Sequence, residues 1–353
     1  MNKRYCSIDG LRAISCLLII AMHILYNTEY SIDGFVYNTM IPSFTWLVYL
    51  FIMISGFGMC AGYLEKFQHN EVDLEAFYKR RYKKILPFFA FLICIALIVE
   101  PSLNNFYEAS IEVTLLHGLL PNNNLNVLGV CWTLGVIFLF YLLFPAFTVL
   151  MKSKKRAWCA FAVSIWINVI CRIYFFNDSF VTDSFTPRHS FIYCIPLFIC
   201  GGLVYLYRKE VADICRRFRW IVLALCLICS VAYYALPHTV HGFDITYYLL
   251  LLIYTFWLCY SVGVDSKFLG SKVMKYLGGI SMEMYLSQMV IFRVVEKFNM
   301  LYLFGKGWLS YIMTFIFTVL GIIAFVEIYK VMTKLLVSGF KKLKIKTNCR
   351  RKQ

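Results

Sequence analysis

Long apolar stretches separated by short polar segments follow one another along almost the whole chain. A helix that spans the hydrocarbon core of a bilayer needs about 20 mostly apolar residues. The stretches that come near this length are residues 10–28, 44–64, 85–100, 129–151, 157–176, 189–207, 219–236, 245–264, 276–296 and 309–337. The pattern predicts an all-α fold, a polytopic membrane helical bundle of about ten transmembrane helices.

The polar segments between these stretches alternate in charge. Cytoplasmic loops of membrane proteins accumulate Lys and Arg, whereas short exported loops do not. Residues 65–84, 152–156 and 208–219 are rich in Lys and Arg, whereas residues 27–43 and 101–128 contain neither. The alternation predicts that both termini are cytoplasmic, which agrees with an even number of spans.

Composition excludes an ordinary soluble domain. Hydrophobic residues make up 61% of the 353 residues and charged residues only 15%, whereas soluble domains carry about 25% charged residues. The net charge of +16 comes largely from residues that flank apolar stretches, so it indicates topology in a lipid bilayer and no nucleic-acid partner. We expect one transmembrane domain over residues 1–340 and a basic cytoplasmic tail over residues 341–353.

The cysteines do not form a metal-binding pattern. They are scattered mostly through apolar stretches, where a free thiol acts as a small hydrophobe. Cys226 and Cys229 are an isolated pair with no second pair and no suitably spaced His. The sequence therefore predicts no metal site.

The first apolar stretch carries Asp9, Arg12 and His23. Arg12 and His23 are eleven residues apart, which in a helix is about three turns, so both fall on one face about 16 Å apart. Asp9, three residues before Arg12, shares that face and is placed to pair with it. Although a lone His is usually a satisfied core residue, ionisable residues aligned within a membrane usually line a cavity.

A second group of charges is the sequence YKRRYKKILP, residues 78–87. It has two interpretations. It is a basic flank that obeys the positive-inside rule, or it is a cytoplasmic anion site whose basic side chains hold the phosphates of a nucleotide cofactor.

Two later apolar stretches carry aromatic or ionisable residues within a predicted span. Residues 130–145 form an aromatic-rich span that ends in Pro, and residues 276–291 carry Glu283, which needs a partner or a wet cavity within a span. In the predicted span 44–64, Gly58 and Gly62 have the GxxxG spacing that allows close helix packing.

These motifs together resemble the acyltransferase 3 family of integral-membrane acyltransferases, which modify bacterial cell-surface sugars and other exported acceptors. IDGLRAISCLLIIAMH is similar to the family's first-helix signature, FIMISGFGMC to its Ser-Gly-Phe stretch, and RRYKKILP to its Arg-x-x-Arg before Leu-Pro or Tyr-Pro. CWTLGVIFLFYLLFP resembles the Trp-x-Leu to Tyr-Leu-x-x-Pro element, and LGGISMEMYLSQ the late Gly-x-x-Ser to Tyr-Leu element. The resemblance covers nearly the whole chain in the right order.

The sequence departs from the family pattern at three positions. The second basic residue of Arg-x-x-Arg is Lys84, which keeps the charge and loses the planar fork of Arg. Ile137 stands where many members carry Glu, and Gln288 where the late element often ends in His.

The resemblance implies a donor and an acceptor. The donor is a cytoplasmic acyl-CoA, with acetyl-CoA the first candidate, and the acceptor is a hydroxyl of an exported glycan or glycolipid. Arg81 and Lys84 are then expected to hold the CoA phosphates, with Arg80 and Lys83 adding positive charge. The family also implies a multi-pass protein of the bacterial plasma (inner) membrane.

The resemblance further implies roles for the first helix. A neutral imidazole can take the proton of a sugar hydroxyl, so His23 is expected to act as general base in a direct transfer. A transient acyl-imidazole on His23 is the alternative route. Because Arg12 lies about 16 Å from His23 along the helix, it is expected to orient the donor, and Asp9 to hold Arg12.

Two other functions remain open from the sequence. A carrier or flippase for a lipid-linked sugar also has many spans with buried polar residues, although the chain shows no repeated halves with matching interrupted helices. A non-enzymatic scaffold is the third alternative, but it gives Arg12 and His23 no function in return for their burial.

Overall fold

The chain is almost entirely helical in a computed structural model, which describes residues 5–120, 125, 127–177, 179–181, 185–240 and 243–350. For Val240, Phe243 and residues 339–350 it describes the backbone alone. The α-helices within the described residues are α1 (Cys6–Tyr26), α2 (Ile41–Ser43), α3 (Leu47–Met59), α4 (Glu65–Gln68), α5 (Leu74–Val99), α6 (Leu103–Glu112), α7 (Trp132–Leu142), α8 (Phe144–Leu150), α9 (Lys154–Ile170), α10 (Phe191–Leu206), α11 (Arg208–Arg217), α12 (Arg219–Ala232), α13 (Thr246–Gly263), α14 (Lys272–Gly279), α15 (Ser281–Lys297) and α16 (Trp308–Arg350).

Shorter elements join these helices. Two strands of two residues each, β1 (Thr239–Val240) and β2 (Phe243–Asp244), pair antiparallel. The π-helical and 3₁₀ turns of the described chain are Val36–Met40, Phe44–Trp46, Cys60–Leu64, His117–Leu119, Cys171–Phe175 and Pro187–His189.

Length and composition identify membrane spans among the described helices. Six helices are long and apolar enough to cross a bilayer, or up to eight if each of two bent helix pairs counts as one span. The predicted count of about ten is not confirmed, because α12 has only 14 residues and α15, with 17, is not among the described helices that are long and apolar enough to cross a bilayer. The chain is nevertheless a multi-pass, all-helical membrane protein.

The chain divides into two compact units, which are described separately. Unit 1 comprises Met1–Ser15 and Thr45–Gly279, and unit 2 comprises Cys16–Phe44 and Ile280–Gln353. α1 contributes its first part to unit 1 and its second part to unit 2. The predicted boundary between the domain and its basic tail falls inside α16, and the side chains of the tail lie outside the described residues.

In unit 1, glycine allows α3 and α10 to lie backbone to backbone. A Cβ placed on Gly56 would lie 2.2 Å from the carbonyl oxygen of Phe198, and one on Gly201 would lie 2.0 Å from that of Met53. No side chain fits into such gaps, so these two glycines set the helix spacing. Phe57 and Phe198, both almost fully buried, fill the core beside them.

Gly58 and Gly62 do not make the predicted close helix contact. Among the described atoms, a Cβ on Gly58 would meet the Arg12 side chain at 3.6 Å, and one on Gly62 would meet nothing within 4 Å. The GxxxG interpretation was therefore wrong. Gly58 instead leaves room for a guanidinium group.

The aromatic-rich stretch 130–145 is a broken helix. α7 and α8 meet at a bend of 62°. Pro145 lies in the first turn of α8, where it cannot donate a hydrogen bond back to the preceding turn, so α7 ends just before it. The bend leaves Tyr141 in the last turn of α7.

Unit 2 is held together by tyrosine hydroxyls. The Tyr30 hydroxyl donates to the carbonyl of Leu301 at 2.7 Å and lies 2.8 Å from Thr314 Oγ1. The Tyr311 hydroxyl of α16 donates to the carbonyl of Ala21 at 2.8 Å. These bonds join the second part of α1, the segment after it and α16.

Candidate functional site

Arg12 lies on the unit 1 part of α1 and its guanidinium reaches α3. Its Nη2 atom lies opposite Gly58, in ordinary van der Waals contact with the position of a Cβ there. Tyr141 and Asp9 both interact electrostatically with Arg12. The prediction that Asp9 is placed to stabilise Arg12 therefore agrees with their positions, while its role in catalysis stays a prediction.

Two glycines fix the start of α1, which carries Asp9. A Cβ on Gly10 would lie 2.2 Å from the carbonyl oxygen of Leu269, and one on Gly278 would lie 2.1 Å from that of Asp9. Gly278 belongs to the LGG sequence that resembles the late family element. The backbone of this element therefore packs against the helical turn that carries Asp9 and Arg12.

Arg81 projects from α5 into a group of aromatic rings. Its guanidinium carbon lies 4.7 Å from the centre of the Tyr63 ring, 5.5 Å from that of Tyr141 and 5.8 Å from that of Phe77. Cations over ring faces are attracted to them electrostatically. The Nε atom of Arg81 is buried and has no hydrogen-bond partner within the described part of the chain.

Arg12 and Arg81 have one neighbour in common, Tyr141. We call Arg12, Arg81, Tyr63 and Tyr141 the inner arginine cluster, because the predicted positions of Arg12, Arg81 and Tyr63 lie at or near the cytoplasmic ends of their spans. Two positive charges near one phenol form a strong site for an anion, and the planar guanidinium groups suit phosphate oxygens. The sequence predicted the arginines but not the tyrosines.

The other basic residues of the predicted anion site differ from Arg81. Arg80, Lys83 and Lys84 are exposed, whereas Arg81 is half-buried. Tyr63 lies within hydrogen-bonding reach of both Arg80 and Arg81. Of these four basic residues, Arg81 is the one that is half-buried, and the predicted roles of all four in donor binding stay predictions.

His23 lies on the unit 2 part of α1, half-buried, and its backbone carbonyl accepts a hydrogen bond from Asn27. In the same unit, Gln288 is buried and donates to the carbonyl of Tyr285, while its Oε1 atom has no hydrogen-bond partner. Glu283 is half-buried and interacts electrostatically with Tyr329. The roles of His23 and Gln288 stay predictions.

Buried polar side chains lie at the end of α6 and between α6 and α7 in unit 1. Glu112 accepts a long hydrogen bond of 3.4 Å from the backbone of Leu128 and one from the Cys131 side chain. His117 Nε2 lies 3.1 Å from the Cys131 carbonyl. Burial raises the pKa of Glu112 to about 7 and lowers the pKa of His117. These groups fix the segment that enters α7.

The raised pKa of Glu112 gives a prediction for stability against pH. The folded state retains the proton of Glu112 between its ordinary pKa, near 4.5, and about 7, so its contribution is complete below pH 4.5 and is lost as the pH rises to about 7. A pKa shift of this size corresponds to about 3 kcal/mol of folding free energy. We expect Glu112→Gln to flatten the decline in thermal unfolding temperature between pH 4.5 and about 7. Glu100→Gln, at an exposed site, should leave this decline unchanged. Equal slopes of unfolding temperature against pH in the two variants would contradict the assignment of the decline to Glu112.

No group of three or more His, Cys, Asp or Glu side chains within the described part of the chain is arranged to hold a metal ion. The site is therefore described by its arginines and tyrosines.

The long apolar helices define the chain as a multi-pass membrane protein. A family model described as an acyltransferase domain matches residues 6–327, nearly the whole chain. The chain belongs to the acyltransferase 3 family, as its motifs predicted, and it is a membrane acyltransferase. No curated protein and no solved structure gives a significant match.

Proposed function

We propose that the protein transfers an acyl group, acetyl in the first instance, from cytoplasmic acyl-CoA to a hydroxyl of an exported glycan or glycolipid at the bacterial plasma membrane. The inner arginine cluster is the observation that carries this proposal. Acyl-CoA is a donor with several phosphate charges, and a pair of arginines set among tyrosines is chemically suited to it.

Arg81 is the principal phosphate ligand in this proposal. Its Nε donor is buried without a partner, and an unused buried donor is unfavourable unless a ligand or water satisfies it. The exposed Arg80, Lys83 and Lys84 contribute a positive field around it. Tyr63 and Tyr141 restrict the Arg81 side chain, so less conformational entropy is lost when the donor binds.

In this proposal Arg12 binds the donor and His23 acts on the acceptor, and α1 carries both residues. They stand eleven residues apart on α1. Arg12 orients the donor, and Asp9 holds Arg12. His23 takes the proton of the acceptor hydroxyl as its oxygen attacks the thioester carbonyl, and returns the proton to the departing CoA thiolate.

An acyl-imidazole on His23 is the second route for the same reaction. The two routes differ in one observable. Mixing the protein with acyl-CoA alone gives a trapped acyl-enzyme only if His23 is acylated.

The test of the proposed function is acceptor-dependent release of CoA. Purified protein is incubated with acetyl-CoA, with and without a crude surface-glycan extract, and free thiol is measured. We expect release that depends on the extract. Donor binding without release points to another acceptor, and an absence of both, repeated with longer acyl-CoA donors, favours the carrier or flippase over the enzyme.

The donor site gives a separate prediction. Arg81→Gln removes the half-buried guanidinium, and the loss of a charged hydrogen-bonding group is expected to weaken acetyl-CoA binding by about 10- to 100-fold. Arg81→Lys recovers part of the affinity, since it restores the charge without the fork. Isothermal titration of detergent-solubilised protein measures both variants.

The matched control is Arg216→Gln. Arg216 lies on α11, on the predicted cytoplasmic side, and is exposed and paired with Asp213. The Arg216→Gln variant loses the same positive charge as the Arg81→Gln variant. Because this charge comes from an exposed ion pair, the affinity for acetyl-CoA should change by less than about threefold. If the two variants bind equally well, Arg81 does not hold the donor.

A further inference from the structure

A second arginine in unit 1 is enclosed by tryptophans. The Arg188 guanidinium carbon lies 5.4 Å from the centre of the Trp46 ring and 5.7 Å from that of Trp132. The His189 ring stacks on Trp132 at 4.3 Å with an interplanar angle of 24°. Arg188 Nη1 donates to Thr45 Oγ1 at 2.8 Å. We call these five residues the outer arginine cluster.

The cluster joins three parts of the sequence on one predicted side of the membrane. Thr45 and Trp46 begin the second predicted span, Trp132 lies near the start of the fourth, and Arg188 directly precedes the sixth. The alternation of loop charge places all three span starts on the extracytoplasmic side. This is the side on which an exported acceptor lies.

The charge of Arg188 is not neutralised by a carboxylate of the described side chains, since none of the ion pairs that they form includes it. Its Nε atom and His189 Nε2 are both buried, and neither has a hydrogen-bond partner among the residues that the structure describes. The two ring contacts attract the half-buried guanidinium through the quadrupoles of the rings. A negative ion beside the guanidinium would attract it more strongly.

The surroundings hold the cluster in a fixed arrangement. The carbonyl of Arg188 accepts a hydrogen bond from Cys194 Sγ on α10. Trp132, only 8% exposed, follows Cys131, whose carbonyl is bound by His117. Arg188 and His189 are half-buried and therefore still reachable. A guanidinium held in place with an unused donor is prepared for an anionic ligand.

We propose that the outer arginine cluster binds an anionic group, a carboxylate or a phosphate, of the glycan or glycolipid acceptor. The proposal rests on the proposed acyl transfer and narrows its acceptor to an acidic one. Arg188 forms the ion pair, and the unpartnered His189 Nε2 makes a hydrogen bond to the same ligand. Trp46 and Trp132 hold the guanidinium plane and exclude water from the pair.

The first test measures binding and does not require acyl transfer. Thermal unfolding of the full chain in detergent is followed at constant ionic strength with D-glucuronate, D-glucose 1-phosphate, D-glucose or sodium sulfate. We expect glucuronate, glucose 1-phosphate or both to raise the unfolding temperature of the wild type, and glucose to leave it unchanged. Which of the two acts identifies the carboxylate or the phosphate.

Three variants decide whether Arg188 is responsible. Arg188→Gln should lose the shift and Arg188→Lys should retain part of it. Arg293→Gln is the matched control, since Arg293 is exposed and paired with Glu296 near the predicted outer end of its helix, and it should behave as the wild type. Equal shifts in Arg188→Gln and wild type, shifts from sulfate as large as those from the sugars, or no shift with any probe would overturn the proposal.

The second test separates this site from the catalytic function. In the CoA-release assay, Arg188→Gln should raise the acceptor concentration for half-maximal rate by about tenfold or more, while its affinity for acetyl-CoA stays that of the wild type. A wild type that releases no CoA with any acceptor refutes the proposed function, and the binding test still decides on the anion site. An unchanged acceptor requirement in an active Arg188→Gln protein overturns the site alone.

Discussion

His23→Ala is expected to abolish acceptor-dependent CoA release while acetyl-CoA still binds. Loss of a general base lowers a rate by about 10²- to 10⁴-fold, and neither Arg81 nor Arg12 loses a contact within unit 1. The measurement is the CoA-release rate of purified variants at saturating donor, together with donor affinity by titration.

The control for this variant is His69→Ala. His69 is exposed at the end of α4 and its ring lies 2.8 Å from the carbonyl of Glu65, so its loss should leave the rate within about twofold of the wild type. If His23→Ala retains more than a tenth of the activity, His23 is neither the general base nor the site of an acyl-imidazole.

The same variant distinguishes the classes of protein. A scaffold would keep its function without His23, and a carrier would lose transport without ever releasing CoA. Acylation of wild-type protein by acyl-CoA alone, absent from His23→Ala, would select the acyl-imidazole route over direct transfer.

Gly201→Ala is expected to have the largest effect on stability. The added Cβ would lie 2.0 Å from the carbonyl oxygen of Met53 and 2.8 Å from the amide nitrogen of Phe57. Both neighbours are backbone atoms of α3 and cannot rotate away, so α3 and α10 must separate. We expect a loss of at least about 3 kcal/mol, the upper end of overpacking effects, seen as a lower unfolding temperature and a smaller folded fraction in size-exclusion chromatography.

Gly62→Ala is the matched control for this substitution. A Cβ on Gly62 has no described atom within 4 Å, and alanine is the better helix former, so the variant should be as stable as the wild type or slightly more stable. Equal stability of the Gly201 and Gly62 variants would mean that α3 and α10 are not in backbone contact.

The helix boundaries show where sequence patterns are weak. The apolar stretch 85–100 predicted a short third span, but α5 begins at Leu74, because the Asp73 side chain accepts hydrogen bonds from the amides of Glu75 and Ala76. The basic residues 78–87 therefore lie on a helix and not in a loop. Capping depends on a few polar atoms, whereas hydropathy averages over many residues.

The two arginine clusters show a second limit of the sequence. No local sequence pattern connects Arg188 with Trp46 and Trp132, because these partners are about 140 and 56 positions away in the chain. Tyr141 lies inside the YLLFP sequence, so the family resemblance contained a signal for it. Nothing in the sequence connects Tyr63 with Arg81.

The sequence by itself determined the membrane class, the all-helical fold, the family and the types of reactive residue, with Arg12, His23 and Arg81 as candidates. These properties follow from hydropathy and spacing between residues close in the chain. Only the tertiary structure decided which of four basic residues is buried among aromatic rings, which glycines set the helix spacing, and that Arg188 stands between two tryptophans. Such contacts join residues distant in sequence, and they depend on how helices bend at Pro145 and approach at Gly56 and Gly201.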